Sequence, residues 1–228
     1  MRTKPGKPDR LDKTSKLGQK LYKVIHKIPM MPSAGRYNLT LCHEKKFIWF
    51  RVAKVGSRTI LNHLLDSGVH LDVEHGRKLR YPVNHFDDYF KFAFVRNPWD
   101  RLVSCWNNKV IDCNLFRFNE TELEKMKVFE NFVGYVETID VDTCNRHLRS
   151  QNSLIDLNNI DYLGRMETFG DDLNHIFRRL DLDTDNIKSR NVTAEREPYR
   201  EYYNSELAER VARIYRKDIQ IFGYRFQD

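Results

Sequence analysis

The chain has 228 residues, of which 40% are hydrophobic and 31% charged, a composition that fits one folded domain and excludes a disordered chain. Its formal net charge of +7 indicates an anionic partner, such as a nucleotide, an acidic glycan, a nucleic acid or a membrane surface, without choosing among them. No apolar run approaches the ~20 residues of a membrane-spanning helix, and the four cysteines include no Cys-x-x-Cys pair, which argues against a zinc site.

The chain begins with a segment rich in Lys and Arg that has only scattered apolar residues. Such a composition is typical of a mobile or loosely packed basic arm. We therefore predict a basic N-terminal arm and lead-in over residues 1–44, and one folded domain over residues 45–228. The first residues lack the apolar core of a secretory signal peptide.

Residues 46–65 predict a strand, a tight turn and a helix. Residues 47–52 are rich in aromatic and β-branched side chains, and residues 57–65 carry apolar side chains at helical spacing. A strand that turns sharply into a helix leaves unpaired backbone N–H groups, which attract phosphate or sulfate. Gly56 permits a close approach and Lys54 adds a positive donor. The alternative is an ordinary turn with solvated basic side chains.

The turn is not a Walker A loop, because the pattern G-x-x-x-x-G-K-[ST] is absent and Lys54 precedes the glycine. That order argues against an ordinary P-loop nucleoside triphosphatase. A different donor of a phosphate-like group is therefore to be considered.

The next segments predict a surface loop, a second strand and a second helix. Residues 69–89 are rich in His and charge, which favours a loop, whereas residues 90–96 read as a strand buried in a parallel sheet. Asn97 and Pro98 then begin a helix as N-cap and first helical residue, with Asp100 in a capping-box-like role.

Further helices are predicted at about 121–137, 168–180 and 204–218, with a short strand at 161–165. Strands separated by helices are typical of an α/β fold. We predict a single domain with a central parallel sheet flanked by helices.

Arg96 and Ser104 form a second candidate anion site. Arg96 stands at the carboxyl end of a predicted strand, where α/β sheets bind ligands, and Ser104 lies about two turns into the following helix. An arginine fork and a hydroxyl can hold a phosphate. The alternative is that Arg96 pairs with a local carboxylate and that Ser104 is only a small helix residue.

Together the two sites resemble the sulfotransferase family, which uses 3′-phosphoadenosine-5′-phosphosulfate (PAPS). The resemblance is carried by Lys-x-Gly-Ser-x-Thr at 54–59 and Val-Arg-Asn-Pro-Trp-Asp-Arg-Leu-Val-Ser at 95–104, and it extends over about residues 45–227. It is closer to the carbohydrate branch, including the heparan sulfate 2-O-sulfotransferase type and bacterial relatives. A P-loop-like sulfotransferase fold is the implied architecture.

The resemblance implies roles for particular residues. The loop that binds the 5′-phosphosulfate would comprise Lys54, Val55, Gly56, Ser57, Arg58 and Thr59. Arg96 and Ser104 would bind the 3′-phosphate, and a later loop with Arg190 and Thr193 would close over the nucleotide. Lys54 would neutralise the leaving oxygen, adenosine 3′,5′-bisphosphate (PAP) would be the product, and no metal would be required.

The acceptor hydroxyl requires a general base, for which the resemblance favours His85, upstream of the second motif. A surface-loop histidine is the alternative reading. The fallback candidates are His75, Glu74 and Asp87. His147 fits either the acceptor region or, as the favoured alternative, a packed or solvent-exposed position. Glu167 is expected to order a basic side chain near the nucleotide rather than to act as the base.

We therefore expect a PAPS-dependent sulfotransferase that acts on a hydroxyl, expected to belong to a glycan. The alternatives are a kinase-like phosphotransferase that uses ATP with magnesium, and a non-enzymatic polyanion-binding module. No nucleic-acid partner and no transmembrane segment are expected. The sequence leaves the oligomeric state open. It predicts a soluble cytoplasmic protein, or one of the Golgi lumen only if an anchor has been removed.

Overall fold

A five-stranded mixed sheet lies at the centre of the computed structural model, which describes residues 28, 30–184 and 197–228. In chain order the strands are β1 (Tyr37–Cys42), β2 (Phe47–Phe50), β3 (Val73–Leu79), β4 (Phe90–Val95) and β5 (Tyr162–Arg165). The helices of the described residues are α1 (Ser57–Asp66), α2 (Pro98–Trp106), α3 (Glu120–Met126), α4 (Phe129–Glu137), α5 (Phe169–Arg179), α6 (Ser205–Ile214) and α7 (Arg216–Phe222). The predicted α/β class is confirmed.

The spatial order of the strands is β3-β1-β2-β4-β5, and only part of the sheet is parallel. β2, β4 and β5 are parallel neighbours, whereas β1 is antiparallel to both β2 and β3. A turn over residues 43–46 joins β1 to β2. So short a connection can form only a hairpin, because parallel strands need a crossover of a dozen residues or more. The carboxyl ends of β2, β4 and β5 therefore meet at one edge of the sheet.

The predicted surface loop at 69–89 is partly wrong, because it contains β3 and a 3₁₀ turn at Val83–Phe86. β3 is the edge strand of the sheet, and five of its seven residues are exposed. Edge strands carry charged side chains that discourage pairing with other chains, so β3 lacks the apolar alternation of a typical strand. β1 was likewise not predicted as a strand.

The other predicted elements are confirmed with shifts at their ends. The strand predicted at 47–52 ends at Phe50, and the helix predicted at 168–180 is α5. The stretches 121–137 and 204–218 each hold parts of two helices rather than one. α3 and α4 are separated where Val128 adopts an extended conformation.

The core lies on both faces of the parallel strands. All four residues of β2 are at most 1% exposed, and the rings of Trp49 and Phe92 stack at 6.1 Å between centroids across β2 and β4. Burying an aromatic side chain of this kind contributes about 1.5–3 kcal/mol. These strands are therefore a rigid base for the loops that follow them.

Within the part of the chain that the structure describes, no helix combines the length and apolar character needed to cross a lipid bilayer. Of the predicted arm and lead-in over residues 1–44, residues 1–27 and 29 lie outside the described residues, and the remainder contains β1. Arg190 and Thr193, predicted to lie over the nucleotide, are also outside them.

Candidate functional site

A cleft of about 490 Å³ opens at the carboxyl ends of β2 and β4. It brings together most of the residues that the sequence predicted for anion binding: Lys54, Gly56, Ser57, Arg58, Thr59, Arg96 and Ser104. Val55 is the exception among the described residues, since its side chain is fully buried in the core. Two motifs that are about 40 residues apart in sequence thus share one cavity because their strands are parallel neighbours.

The loop between β2 and α1 has an unusual backbone. Lys54 and Gly56 adopt φ angles of 72° and 71°, a left-handed conformation that is strained for lysine and easy for glycine. The first i→i−4 bond of α1 is donated by Ile60 N–H to the Gly56 carbonyl at 3.1 Å. The amides of residues 57–59 precede that bond, so the helix presents them, with the positive end of its dipole, toward an anion.

The packing around Gly56 also leaves no room for a side chain. A Cβ at this position would lie 2.9 Å from Cε2 of Phe169 and 3.1 Å from Sδ of Met166. The Ser57 hydroxyl donates a hydrogen bond to the Val52 carbonyl at 2.8 Å, which ties the start of α1 to the end of β2. The tight packing and this bond hold the loop in one conformation.

Arg96 is held by three contacts and still lines the cleft. Its Nε donates to Asp100 Oδ2 at 2.6 Å and its Nη1 donates to the Lys54 carbonyl at 3.2 Å. Its backbone N–H and carbonyl pair with the side-chain amide of Gln151 at 3.0 and 2.8 Å. The local carboxylate considered in the sequence analysis is therefore present, and it orients the guanidinium at the wall of the cavity.

The helix start that follows Arg96 differs from the prediction in one respect. Asn97 is the N-cap, and its side chain accepts the Trp99 N–H at 3.1 Å, as predicted. The capping-box-like role of Asp100 is wrong, because Asp100 pairs with Arg96 and the Asn97 N–H donates to Glu167 Oε1 at 2.6 Å instead. Glu167 thus orders the backbone of the second motif.

Arg101 is a structural anchor that the sequence analysis missed. It is only 2% exposed, and it donates from Nε to the Ala53 carbonyl at 3.1 Å and from Nη2 to the Arg146 carbonyl at 3.3 Å. It therefore connects the loop after β2 to the segment around residue 146. Its position beside the apolar face of α2 was the available sign of burial in the sequence. An arginine in such a position is ordinarily expected at the surface.

The cleft has a surplus of positive charge around Lys54. Burial lowers the pKa of the Lys54 ammonium from 10.5 to about 8. Repulsion from Lys109, Arg96 and Arg58 acts in the same direction. Lys54 Nζ donates to the Asn108 side-chain oxygen at 3.2 Å, a neutral partner that does not offset this charge. A site built in this way fits an anionic ligand.

The cleft continues on two sides of Lys54. One side is lined by Arg51, His75, Lys109, Arg146 and His147. On the other side lies an adjoining cavity of about 670 Å³, lined in part by Glu197, Pro198 and Tyr199. Lys54, Arg96 and Ser104 belong to both cavities. The residues predicted to bind the anion therefore lie between two adjoining spaces.

The structure does not bring His85 into the cleft. His85 lies in the 3₁₀ turn before β4, with its ring edge-on to Phe86 at 5.2 Å between centroids. It precedes the amino end of β4, whereas Arg96 follows the carboxyl end. The six residues of β4 separate the two by roughly 20 Å, at about 3.3 Å per residue. Asp87 lies at the same remote end.

Two other histidines line the cleft instead, His75 and His147. His75 Nδ1 lies 2.8 Å from Glu74 Oε1 on the edge strand β3. His147 lies in the segment between α4 and β5, close to the charges of Arg146, Lys109 and Lys54. The fallback histidine of the sequence analysis and the histidine of the expected acceptor region are thus both at the site.

Comparisons with known proteins give a family and a relative. The model of the sulfotransferase family matches residues 37–225, which is most of the chain. The chain is also similar to carbohydrate sulfotransferase 12 of Xenopus laevis, with 26% identity over 168 residues, covering 60% of this chain and 40% of that protein. The chain therefore spans only about two fifths of the length of this curated relative. No solved structure matches the chain significantly.

Proposed function

The chain belongs to the sulfotransferase family, and on that premise we propose that it transfers the sulfuryl group of PAPS to a hydroxyl of a carbohydrate. The observation that carries the proposal is the convergence of two anion-binding motifs in one cleft, with Lys54 between them. PAPS has two anionic groups, the 5′-phosphosulfate and the 3′-phosphate, so it requires two such motifs.

The 5′-phosphosulfate fits the loop between β2 and α1. The amides at the start of α1, the Lys54 ammonium and the Arg58 guanidinium are all donors, and a helix start favours negative charge. Arg96 and Ser104 fit the 3′-phosphate, because the guanidinium offers planar paired donors and the hydroxyl one more. The lowered pKa of Lys54 supports the assignment, since burial and then repulsion from neighbouring cations disfavour its charged form until an anion binds.

The reaction moves one sulfuryl group between two oxygens. The acceptor oxygen forms a bond to sulfur while the bond from sulfur to the 5′-phosphate oxygen breaks, and PAP leaves. Negative charge develops on that leaving oxygen, so a cation fixed beside it stabilises the transition state more than the ground state. Lys54 supplies that cation. The proton of the acceptor hydroxyl passes to a general base.

A carbohydrate acceptor is supported by the similarity to a carbohydrate sulfotransferase and by the side of the cleft away from Tyr199. Arg51 and Arg146 line that side, together with Lys109. Guanidinium groups bind carboxylates and sulfates in paired geometry. An acidic glycan is therefore the class of carbohydrate that fits this surface best.

The test is transfer of label from [³⁵S]PAPS to a panel of polysaccharides, comprising chondroitin, heparosan and neutral dextran. Wild type is expected to label at least one acidic member. Lys54→Met is expected to lower kcat by on the order of 10²–10³-fold, the usual loss of one transition-state donor. Lys125→Met, an exposed change on α3 outside the cleft, serves as the matched control. Absence of transfer to any member, or transfer of phosphoryl from ATP with magnesium, would contradict the proposal.

A further inference from the structure

We propose that His147 is the general base that accepts the proton of the acceptor hydroxyl through its Nε2. This inference rests on the proposed function, and it assigns a residue in a role for which the sequence favoured His85. It is carried by the place of His147 in the cleft, by the hydrogen bonding of its ring, and by the charges around it.

The hydrogen bonds of His147 fix its tautomer. The Asn145 Oδ1 atom lies 3.1 Å from the His147 backbone N–H and 2.9 Å from its Nδ1. The backbone N–H can only donate, so the atom it reaches must be the amide oxygen rather than the amide nitrogen. An oxygen of this kind can only accept, and Nδ1 must therefore carry the ring proton. Nε2 keeps its lone pair, and the described residues offer it no hydrogen-bond partner.

This arrangement is that of an oriented base. A neighbouring acceptor that holds Nδ1–H fixes the ring and leaves the other nitrogen free to take a proton. The same contacts give Asn145 a positioning role, because its one oxygen sets both the rotation and the tautomer of the imidazole.

The charges that act on the two histidines differ. Those acting on His147 include Lys54 and Lys109, and Lys54 is the cation expected beside the leaving group. The main charges acting on His75 are those of Arg51, Glu74, Arg146 and Arg77. The influence of Lys54 on His147 favours this histidine over His75 as the base.

His147 is surrounded by cations from several elements. Burial and the charges of Arg146, Lys109, Lys54 and Arg101 lower its pKa to about 3, so the imidazole is neutral at physiological pH. Bound PAPS or PAP brings negative charge next to Lys54 and Lys109, and this charge offsets the repulsion. We therefore expect the proton affinity of His147 to rise when the nucleotide binds, as an effective base requires.

In the proposed step the acceptor O–H proton moves to Nε2 while the acceptor oxygen forms its bond to sulfur and the sulfur–phosphate oxygen bond breaks. The products are the sulfate ester, PAP and an imidazolium. Once PAP leaves, the four neighbouring cations favour release of the proton to solvent. The base is thus restored without a further reactant.

The first test is ¹⁵N NMR of histidine side chains with and without PAP, which needs no acceptor and no turnover. The His147 signal is assigned by its loss in His147→Gln. We expect a protonated Nδ1 and an unprotonated Nε2 at pH 7, and at least a tenfold rise in proton affinity when PAP saturates the site. An Nε2–H tautomer, or a titration that PAP does not move, would overturn the inference.

The second test is kinetic, with [³⁵S]PAPS and the polysaccharide panel. His147→Gln is expected to lower kcat by on the order of 10²–10⁴-fold while its Kd for PAP stays within about twofold of wild type. His85→Gln tests the sequence prediction by the same two measurements. His70 is exposed, and His70→Gln is the matched control. A His147→Gln enzyme with wild-type kcat, or a comparable loss in His85→Gln alone, would overturn the inference. If wild type labels no glycan, the proposed function fails for these acceptors and the NMR result still decides the state of His147.

Discussion

Replacement of Lys54 by methionine is expected to remove the pH dependence of PAP binding above pH 7. The Lys54 pKa is lowered to about 8 in the empty site by burial and by neighbouring cations. A bound 5′-phosphate supplies the missing negative charge and returns the pKa toward 10.5, the ordinary value. Binding therefore favours the protonated ammonium, and affinity falls as pH rises through about 8, where the free enzyme loses this proton.

The size of the effect follows from the two pKa values. The lowered value corresponds to about 3 kcal/mol at about 1.4 kcal/mol per tenfold change, an upper figure because solvent screens the open part of the side chain. If binding restores the ordinary pKa of 10.5 from the free value of about 8, wild type should bind PAP about tenfold more weakly at pH 9 than at pH 7. It should also take up about half a proton on binding at pH 8.

Isothermal titration calorimetry in buffers of different ionisation enthalpy measures both quantities. The phosphate groups of PAP do not interfere, since their second pKa is about 6. Lys54→Met should bind PAP more weakly at pH 7, with no proton uptake at pH 8 and an affinity that stays level to pH 9. Proton uptake of the same size in Lys54→Met and wild type would show that another group titrates and that Lys54 does not cause the pH dependence.

Three further changes test the construction of the site. Gly56→Ala should lower Tm and weaken PAP binding, because an alanine at φ 71° is strained by about 1–2 kcal/mol and its Cβ would meet the Phe169 ring at 2.9 Å; a wild-type Tm would contradict this. Arg101→Met should lower the urea midpoint, because two carbonyls lose a buried donor at about 1–3 kcal/mol each; an unchanged midpoint would show that the anchor is dispensable. Asn145→Ala should reduce kcat while Asn145→Asp preserves it, because a carboxylate also accepts both N–H groups of His147; equal rates in the two variants, measured with [³⁵S]PAPS, would count against the positioning role.

The loops that line the cleft at Lys54 and Arg96 could be predicted from sequence because their signals are local. A buried strand, a turn with Gly56 and an amphipathic helix stand next to one another in the chain, and Asn97 with Pro98 marks the second helix start. Each motif needs only short-range geometry to form. They meet in one cleft because β2 and β4 are parallel neighbours whose carboxyl ends lie at the same edge of the sheet.

The histidine at the cleft, the buried arginine and the edge strand could not be predicted, because their positions depend on tertiary structure. Nothing local distinguishes His85 from His147; only the direction of β4 shows that the first lies at the far end of the sheet. The burial of Arg101 depends on carbonyls that come from residues 53 and 146. β3 was missed because an exposed edge strand is charged, so it lacks the pattern that identifies a strand.

The proposed function requires that the cleft bind PAPS through both of its anionic groups. The most direct measurement is calorimetric titration of PAP and of ADP, with and without magnesium, into wild type, Arg96→Ala and the control Arg178→Ala, an exposed change on α5. We predict magnesium-independent binding of PAP that is about 10–100-fold tighter than that of ADP, since a charge-assisted hydrogen bond contributes about 1.5–3 kcal/mol. This preference should be lost in Arg96→Ala and kept in Arg178→Ala. Equal affinities for the two nucleotides in wild type, or a preference for ADP with magnesium, would contradict the account.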